Sequence, residues 1–344
     1  MEIDFETIAR ADPRSSPPGE ALGFSREGRP VIGHRFGSGD FRVNLIAGCH
    51  ADEPVGPLLL RKLVARLAAL PPECAALADF EWWIVPHANP DGAERNRAWT
   101  DAIGDTIDPV AYVRHAEREL PGDDVEFGFP RDARDRGVRP ENRAISDWWR
   151  RAAGPFRLHA SLHGMAVAHG PWFLIEAAWK DRSARLQERC RSEVAALGYE
   201  LHDVDRRGEK GFVRIGPGFT TRPDSKAMAS FFRDKGDERT AALFRPSSME
   251  TIRALGGDPL TLVSEMPLLL LPPRETGEPA TSEDLGRWKQ RLGDWKLRLA
   301  RGESPDEIRR DVAAAGIVPM PLVDQMRLQW TFARAGLEQV LESA

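Results

Sequence analysis

The sequence predicts an α/β fold: a mixed central sheet with helices on both faces and a helical tail at the carboxyl end. Three observations carry this. Short apolar runs alternate with amphipathic stretches from about residue 20 to about residue 270. Several of those runs are almost wholly apolar, as strands covered on both faces must be. From residue 282 strand signals stop and helical periodicity takes over.

Residues 1–20 end in the breaker-rich run Arg14-Ser-Ser-Pro-Pro-Gly19 and read as a lead-in to the first strands. GRPVIGHRFGSG and FRVNLIAGCH read as two strands joined by a turn over residues 37–40, the second ending at His50. After Pro54, Leu59, Leu63 and Leu67 recur at fourfold spacing and mark a helix. FEWWIVPHANP is a third strand, closed by the turn-forming Asn89-Pro90-Asp91-Gly92. Residues 98–139 are polar, rich in Gly, Pro, Asp and Arg, and without periodicity. They are expected to be a long irregular stretch of the kind that builds a site.

Helix resumes over residues 140–149, with Pro140 at an early helical position. FRLHASLHG reads as a short strand, DRSARLQERCRSEVAALGY as a helix ending at Gly198, and LTLVSEMPLLLL as a further apolar strand. In the tail, Leu285, Trp288, Leu292, Trp295 and Leu299 share one face of a helix, two more helical stretches follow, and the tryptophans are expected to pack the tail on the sheet. With no repeat or linker in view, the expected organisation is a lead-in (1–20), one catalytic domain (21–275) and a helical extension packed on it (276–344).

Composition narrows the function. The 344 residues are 41% hydrophobic and 29% charged, which supplies a sizeable core and excludes general disorder. Against 48 Lys and Arg stand 53 Asp and Glu, a net charge of −5 with basic and acidic residues interspersed, so a nucleic-acid partner is not expected. Cys49, Cys74 and Cys190 are widely spaced and odd in number, which encodes neither a disulfide framework nor a thiolate zinc site. The first residues, MEIDFETIARADP, lack the cationic and apolar regions of a secretory signal, and no apolar run approaches the ~20 residues that span a bilayer. A cytoplasmic location with no membrane partner is expected.

Candidate chemistry lies in polar residues at strand ends, where open α/β sheets bind ligands. His50 and Glu53 stand three apart at one such end, and zinc accepts both ligand types. An H-x-x-E pattern arises by chance about 0.6 times in a chain of this composition, so context must decide. His163, in SLHG at another strand end, offers a third ligand, and the following glycine lets backbone approach closely. Two histidines and one carboxylate leave zinc an open position. Glu265 interrupts an apolar run in which an unpartnered carboxylate would be costly. Beside a zinc-activated water such a group can take a proton and later deliver it to a leaving amine. His87, His159 and His169 read as hydrogen-bonding neighbours rather than ligands.

Together these motifs resemble the zinc carboxypeptidases of the carboxypeptidase A-like group. GFSREGRPV, GCHADEP, HANPDG, SLHG and SEMP occur in that family's order, and the resemblance covers roughly residues 20–275. It implies one zinc ion on His50, Glu53 and His163, with Glu265 as general base and then general acid in amide hydrolysis. It further implies that Arg97, five residues past Gly92, polarises the scissile carbonyl, with Arg95 as the alternative, and that the substrate is a small peptide or acylated amino acid.

One segment departs from the pattern. Where the family grips a terminal carboxylate with an Asn-Arg pair inside D-x-N-R-x-F, this chain reads Asp124-Val-Glu126-Phe127-Gly-Phe129-Pro130, so Glu126 and Phe127 stand in for the pair. Glu126 is therefore expected to repel a free carboxylate and Phe127 to offer an apolar wall. The family's mobile substrate-contacting tyrosine also has no counterpart, since neither Tyr112 nor Tyr199 lies just before Glu265. An amidase or deacylase of modified substrates is the nearest alternative, and a catalytically silent zinc or ligand-binding protein the more distant one.

Overall fold

The computed structural model describes residues 3–274 and 277–343. Its strands, in chain order, are β1 (Glu20–Phe24), β2 (Pro30–Phe36), β3 (Phe41–Ala47), β4 (Phe80–Val85), β5 (Leu158–Ala168), β6 (Trp172–Ile175), β7 (Arg214–Gly216), β8 (Phe219–Thr221), β9 (Leu260–Leu270) and β10 (Val318–Pro319). They form one sheet in the order β1-β2-β4-β3-β5-β9-β6-β8-β7, with β10 pairing on β9. The four central strands β4, β3, β5 and β9 are parallel, while β2 and β6 flank them antiparallel. A sheet of this kind needs cover on both faces, which explains its near-continuous apolar runs.

Strand length positions the site. β3 stops at Ala47, opposite Leu162 of β5, whereas β5 and β9 run on side by side and place His163 opposite Glu265. The ledge where β3 ends is the ground on which the candidate residues meet.

On one face the helix Val55–Ala68 buries Leu59, Leu63 and Leu67, and the last helix, Leu322–Glu342, packs beside the helix Ala184–Ala196 and along β9 and β5. Gly336 is needed there: a β-carbon on it would lie 2.5 Å from a methyl of Leu262. Gln329, from the same helix, donates its buried amide to the backbone carbonyl of His163 at 3.0 Å. The other face buries Trp83, Phe129 and Phe156 together with Trp148 and Trp149 of the helix Pro140–Trp149. Trp295 and Trp330 of the tail are buried in the main core, and Trp288 packs against it.

The structure departs from sequence expectation in several places. Asn89-Pro90-Asp91-Gly92 opens a helix, Pro90–Thr100, instead of closing a loop: the Asn89 side chain accepts the Gly92 N–H at 3.0 Å and Pro90 occupies the first turn. Residues that favour turns also cap helices, and local sequence alone does not separate the two. The stretch expected to be irregular contains the helix Pro109–His115, capped by Asp108, and the lead-in contains the helix Phe5–Arg10, capped by Asp4. The latter buries only Phe5 and Ile8, too few apolar residues to show a period. β5 is eleven residues long because it continues past Gly164 to Ala168. The expected boundary at residues 275 and 276 lies outside the described residues. Among the described residues no helix is long and apolar enough to cross a membrane.

Two fully buried histidines set an acid limit on the fold. His159 donates from Nδ1 to Asn44 Oδ1 at 2.7 Å and accepts at Nε2 from Ser248 Oγ at 3.1 Å, and burial followed by the charges of Arg222 and His163 pushes it down to about 3. His202 stacks on His169 and is likewise pushed down to about 3, chiefly by burial. An unfolded chain protonates both near the ordinary value of about 6.5, so it binds more protons than the native state between these limits. Their contribution is fully present above about pH 6.5 and declines as pH falls, by roughly 1.4 kcal/mol per histidine per pH unit. Urea unfolding at pH 7, 6 and 5 is expected to show that decline. The slope should be shallower in His202→Gln by about one histidine's share; an unchanged slope would refute the assignment.

Candidate metal centre and active site

At the end of β3, Gly48 adopts φ of +67° with the His87 ring packed where a side chain would project, 2.6 Å from an added β-carbon. Only glycine fits that turn. The chain then delivers His50, closes with Glu53 N–H donating to the His50 carbonyl at 3.3 Å, and enters the helix after Pro54.

Three residues that could ligate a metal converge here. His50 Nδ1 lies 2.9 Å from Glu53 Oε1, His163 Nδ1 lies 3.0 Å from Glu53 Oε2, and the two Nδ1 atoms are 3.1 Å apart. Two ring nitrogens at that separation need a proton or a cation between them. Atoms at the corners of a zinc tetrahedron with bonds of about 2.0–2.2 Å sit about 3.3–3.6 Å apart, a few tenths of an ångström more than these separations, so a small outward shift of the side chains fits the donor set to a zinc ion. The outer nitrogens are also provided for. His50 Nε2 faces Asp124 at 3.4 Å, and His163 Nε2 faces Glu126 at 3.2 Å and Ser161 Oγ at 2.8 Å. A carboxylate behind each imidazole fixes the tautomer that presents the inner lone pair to a metal. A second grouping, of Cys49, Glu126 and His163, overlaps this one. In the absence of a metal, burial and then the Glu126 charge push the Cys49 thiol well up.

The electrostatics favour positive charge at the centre. Burial and Arg118 act to lower His50, but the carboxylates of Glu53 and Asp124 outweigh them and push it up to about 9. Burial likewise opposes protonation of His163, and Glu53 and Glu126 on either side overcome it. Glu265, beside His163 across the β5–β9 pair, is pushed up to about 7 by burial first and then by the Glu53 charge. A carboxyl group in that range can hold and release a proton near neutrality.

Of the residues expected from sequence, His50, Glu53, His163 and Glu265 come together, while Arg97 and Arg95 point elsewhere. Arg97 is 62% exposed and pairs with Glu94 on its own helix at 3.2 Å and with Asp101, the residue that ends it, at 3.8 Å. Arg95 pairs with Glu119 at 2.7 Å and Glu27 at 3.1 Å. The arginine at the centre is Arg118, whose guanidinium lies 2.6 Å from Glu53 Oε1 and 3.7 Å from Asp52 Oδ2. Asp52 is steadied by the Tyr112 hydroxyl, which donates to it at 3.2 Å. Arg118, Asp52 and Asp124 were not singled out in the sequence. Arg118 is one of many arginines in an aperiodic stretch, and only the fold brings it to Glu53.

Glu126 and Phe127 are also placed differently from expectation. Glu126 is buried against His163, so it does not present a charge to an open substrate wall. Phe127 packs edge-on to Phe244 at 5.6 Å in an apolar cluster with Met228 and Phe232.

The family model for zinc carboxypeptidases matches residues 7–196, more than half of the chain and including His50, Glu53 and His163. The chain belongs to the zinc carboxypeptidase family. Glu265 lies beyond the matched segment and joins the site through its register with His163. Carboxypeptidase D of Mus musculus is 32% identical to this zinc carboxypeptidase homologue over 162 residues, 44% of the chain and 11% of that protein. Carboxypeptidase D of Rattus norvegicus is 33% identical over 137 residues, 37% of the chain and 10% of that protein. The chain thus matches about a tenth of the length of these curated relatives. Carboxypeptidase A from Helicoverpa armigera shares the fold, with a TM-score of 0.51 at 12% identity over 99% of this chain and 72% of that one.

Proposed function

We propose that the protein hydrolyses an amide bond of a peptide or peptide-like substrate, with a zinc ion held by His50, Glu53 and His163. The observation that carries this reading is the convergence of their three ligand atoms within about 3 Å beside Glu265, with Asp124 and Glu126 backing the two imidazoles. A zinc ion there supplies Lewis acidity toward a carbonyl oxygen and toward water. Glu265 holds and passes a proton at its carboxylate, first as base and then as acid to the leaving nitrogen. Arg118 takes the part that the family resemblance implies for Arg97 and brings a fixed positive charge to the oxygen on which negative charge develops.

An amidase or deacylase of modified substrates uses the same machinery, and the apolar setting of Phe127 favours it, because no cation stands at that position. Purified, unchelated protein is expected to contain about one zinc per chain. A screen of peptides, acylated amino acids and cell-wall fragments, with products identified by mass spectrometry, should reveal amide cleavage. Protein with less than stoichiometric divalent metal that does not take up added zinc would overturn the reading.

A further inference from the structure

A cavity of about 660 Å³ lies apart from the metal centre, among β2, the helix Val55–Ala68, the helix Pro90–Thr100 and the lead-in residues 13–19. None of His50, Glu53, His163, Glu265 or Arg118 lines it. Ala51 and Pro54 do, so it borders the turn that carries His50 and Glu53. A space of this size accommodates a small organic molecule.

Its walls are fixed. Gly19 presses its backbone onto β2: a β-carbon there would lie 2.5 Å from Ile32 Cγ2 and 2.8 Å from His34 Cε1. Ser16 Oγ donates to the Arg61 carbonyl at 3.1 Å, and Lys62 Nζ donates to the carbonyls of Ala9 and Ala11 at 2.9 Å each. These bonds tie the lead-in to the helix Val55–Ala68. Eight of the lining residues are prolines. Proline has a fixed φ and no N–H, so the wall is stiff, apolar and poor in backbone donors. Such a wall suits an apolar body, and a charged end must be met by side chains.

Three side chains stand ready for it. Arg97, Glu94 and Asp101 line the cavity but pair with one another, Arg97 lying 3.2 Å from Glu94 and 3.8 Å from Asp101. Arg61 also lines it, and among the described residues no carboxylate pairs with its guanidinium; burial alone acts on it, lowering it. His34 is only 9% exposed and stacks on Phe36, and among the described residues its ring nitrogens have no hydrogen-bond partner. His87 accepts the Asn89 N–H at Nδ1, 3.3 Å away. Burial and then the Arg61 charge push His87 down to about 3, so the ring is neutral and carries its proton on Nε2. Among the described residues that N–H has no acceptor. Buried rings with unmet nitrogens and a cation without a counter-ion, lining one cavity, call for a ligand that brings acceptors and a negative charge. Glu94 and Asp101 on the same wall oppose a second negative charge.

We propose that this cavity binds a small organic monocarboxylate with an apolar body, Arg61 serving as its counter-ion, His34 and His87 as hydrogen-bond partners and the prolines as its apolar wall. The site is separate from the metal centre and does not depend on the hydrolase reading.

Octanoate is the probe, with octanamide, butyrate and octyl phosphate as comparisons, in calorimetry on zinc-loaded protein. Octanoate is expected to bind at least ~10-fold more tightly than octanamide, the range of a charge-assisted hydrogen bond, and than butyrate, which lacks four methylenes of apolar body. Arg61→Gln should remove the advantage over octanamide, and Arg61→Lys should retain much of it. Ala93→Phe, which fills the cavity from the helix Pro90–Thr100, should abolish octanoate binding while zinc content and melting temperature hold. Arg118→Gln, at the separate metal centre, should leave octanoate binding within about twofold. Equal binding of octanoate and octanamide, or an advantage that survives Arg61→Gln or Ala93→Phe, overturns the site. Loss in Arg118→Gln alone would put the acid at the metal centre, and octyl phosphate binding more tightly than octanoate would refute the preference for a single charge.

Discussion

Glu265→Gln is expected to lower turnover of a confirmed amide substrate by at least ~100-fold, the lower range for a general acid or base, while zinc content stays at the wild-type level. The substitution preserves the shape of the side chain beside His163 and removes only its ability to carry a proton. Glu265 suits that task because burial and the neighbouring Glu53 push it up to about 7, so both protonation states are accessible near neutrality. Single-turnover rates and metal analysis on the same preparations check the result. Equal rates in the two proteins would refute the role, and a joint loss of rate and zinc would assign Glu265 to the metal site instead.

The second large effect concerns the arginine. Arg118→Gln is expected to reduce kcat/KM by about 100- to 1,000-fold, as removal of a preorganised group facing a developing oxyanion does. Arg97→Gln should stay within about twofold, because a surface side chain paired only with neighbours on its own helix contributes little. Because Arg118 also contacts Glu53 at 2.6 Å, zinc content must be measured alongside. The decisive pattern is a fall in kcat with zinc retained. The opposite order, with Arg97→Gln severe and Arg118→Gln mild, would restore the assignment made from sequence.

The contrast between these two arginines shows what the sequence can disclose. His50 and Glu53 were legible because both belong to one turn after one strand, so three residues of spacing carry their geometry. His163 and Glu265 were legible as polar interruptions of apolar strands, where the cost of burial singles them out. Arg118 carries no such mark: its partners Asp52 and Glu53 lie more than sixty positions away, and its position depends on how residues 98–139 fold over the site. The helix Pro90–Thr100 escaped notice because its capping residues are also turn residues, and the helix Phe5–Arg10 because it is too short to display a period. Glu126 differs again: the resemblance puts it in a substrate-facing segment, whereas the fold turns its carboxylate toward the back of His163.

The amide that Gln329 gives to the His163 carbonyl has a consequence for the order of assembly. The strand bearing His163 is clasped from behind by a helix made some 160 residues later, and β9, its neighbour, is itself made about 100 residues later. Contacts of such long range are paid for in loop closure before they return any stability. During synthesis, the turn holding His50 and Glu53 therefore emerges long before the third candidate ligand, His163, is seated. Convergence of the three is expected only once residues 322–342 have packed behind β5, so that a metal there would be held by the folded sheet rather than seed its collapse.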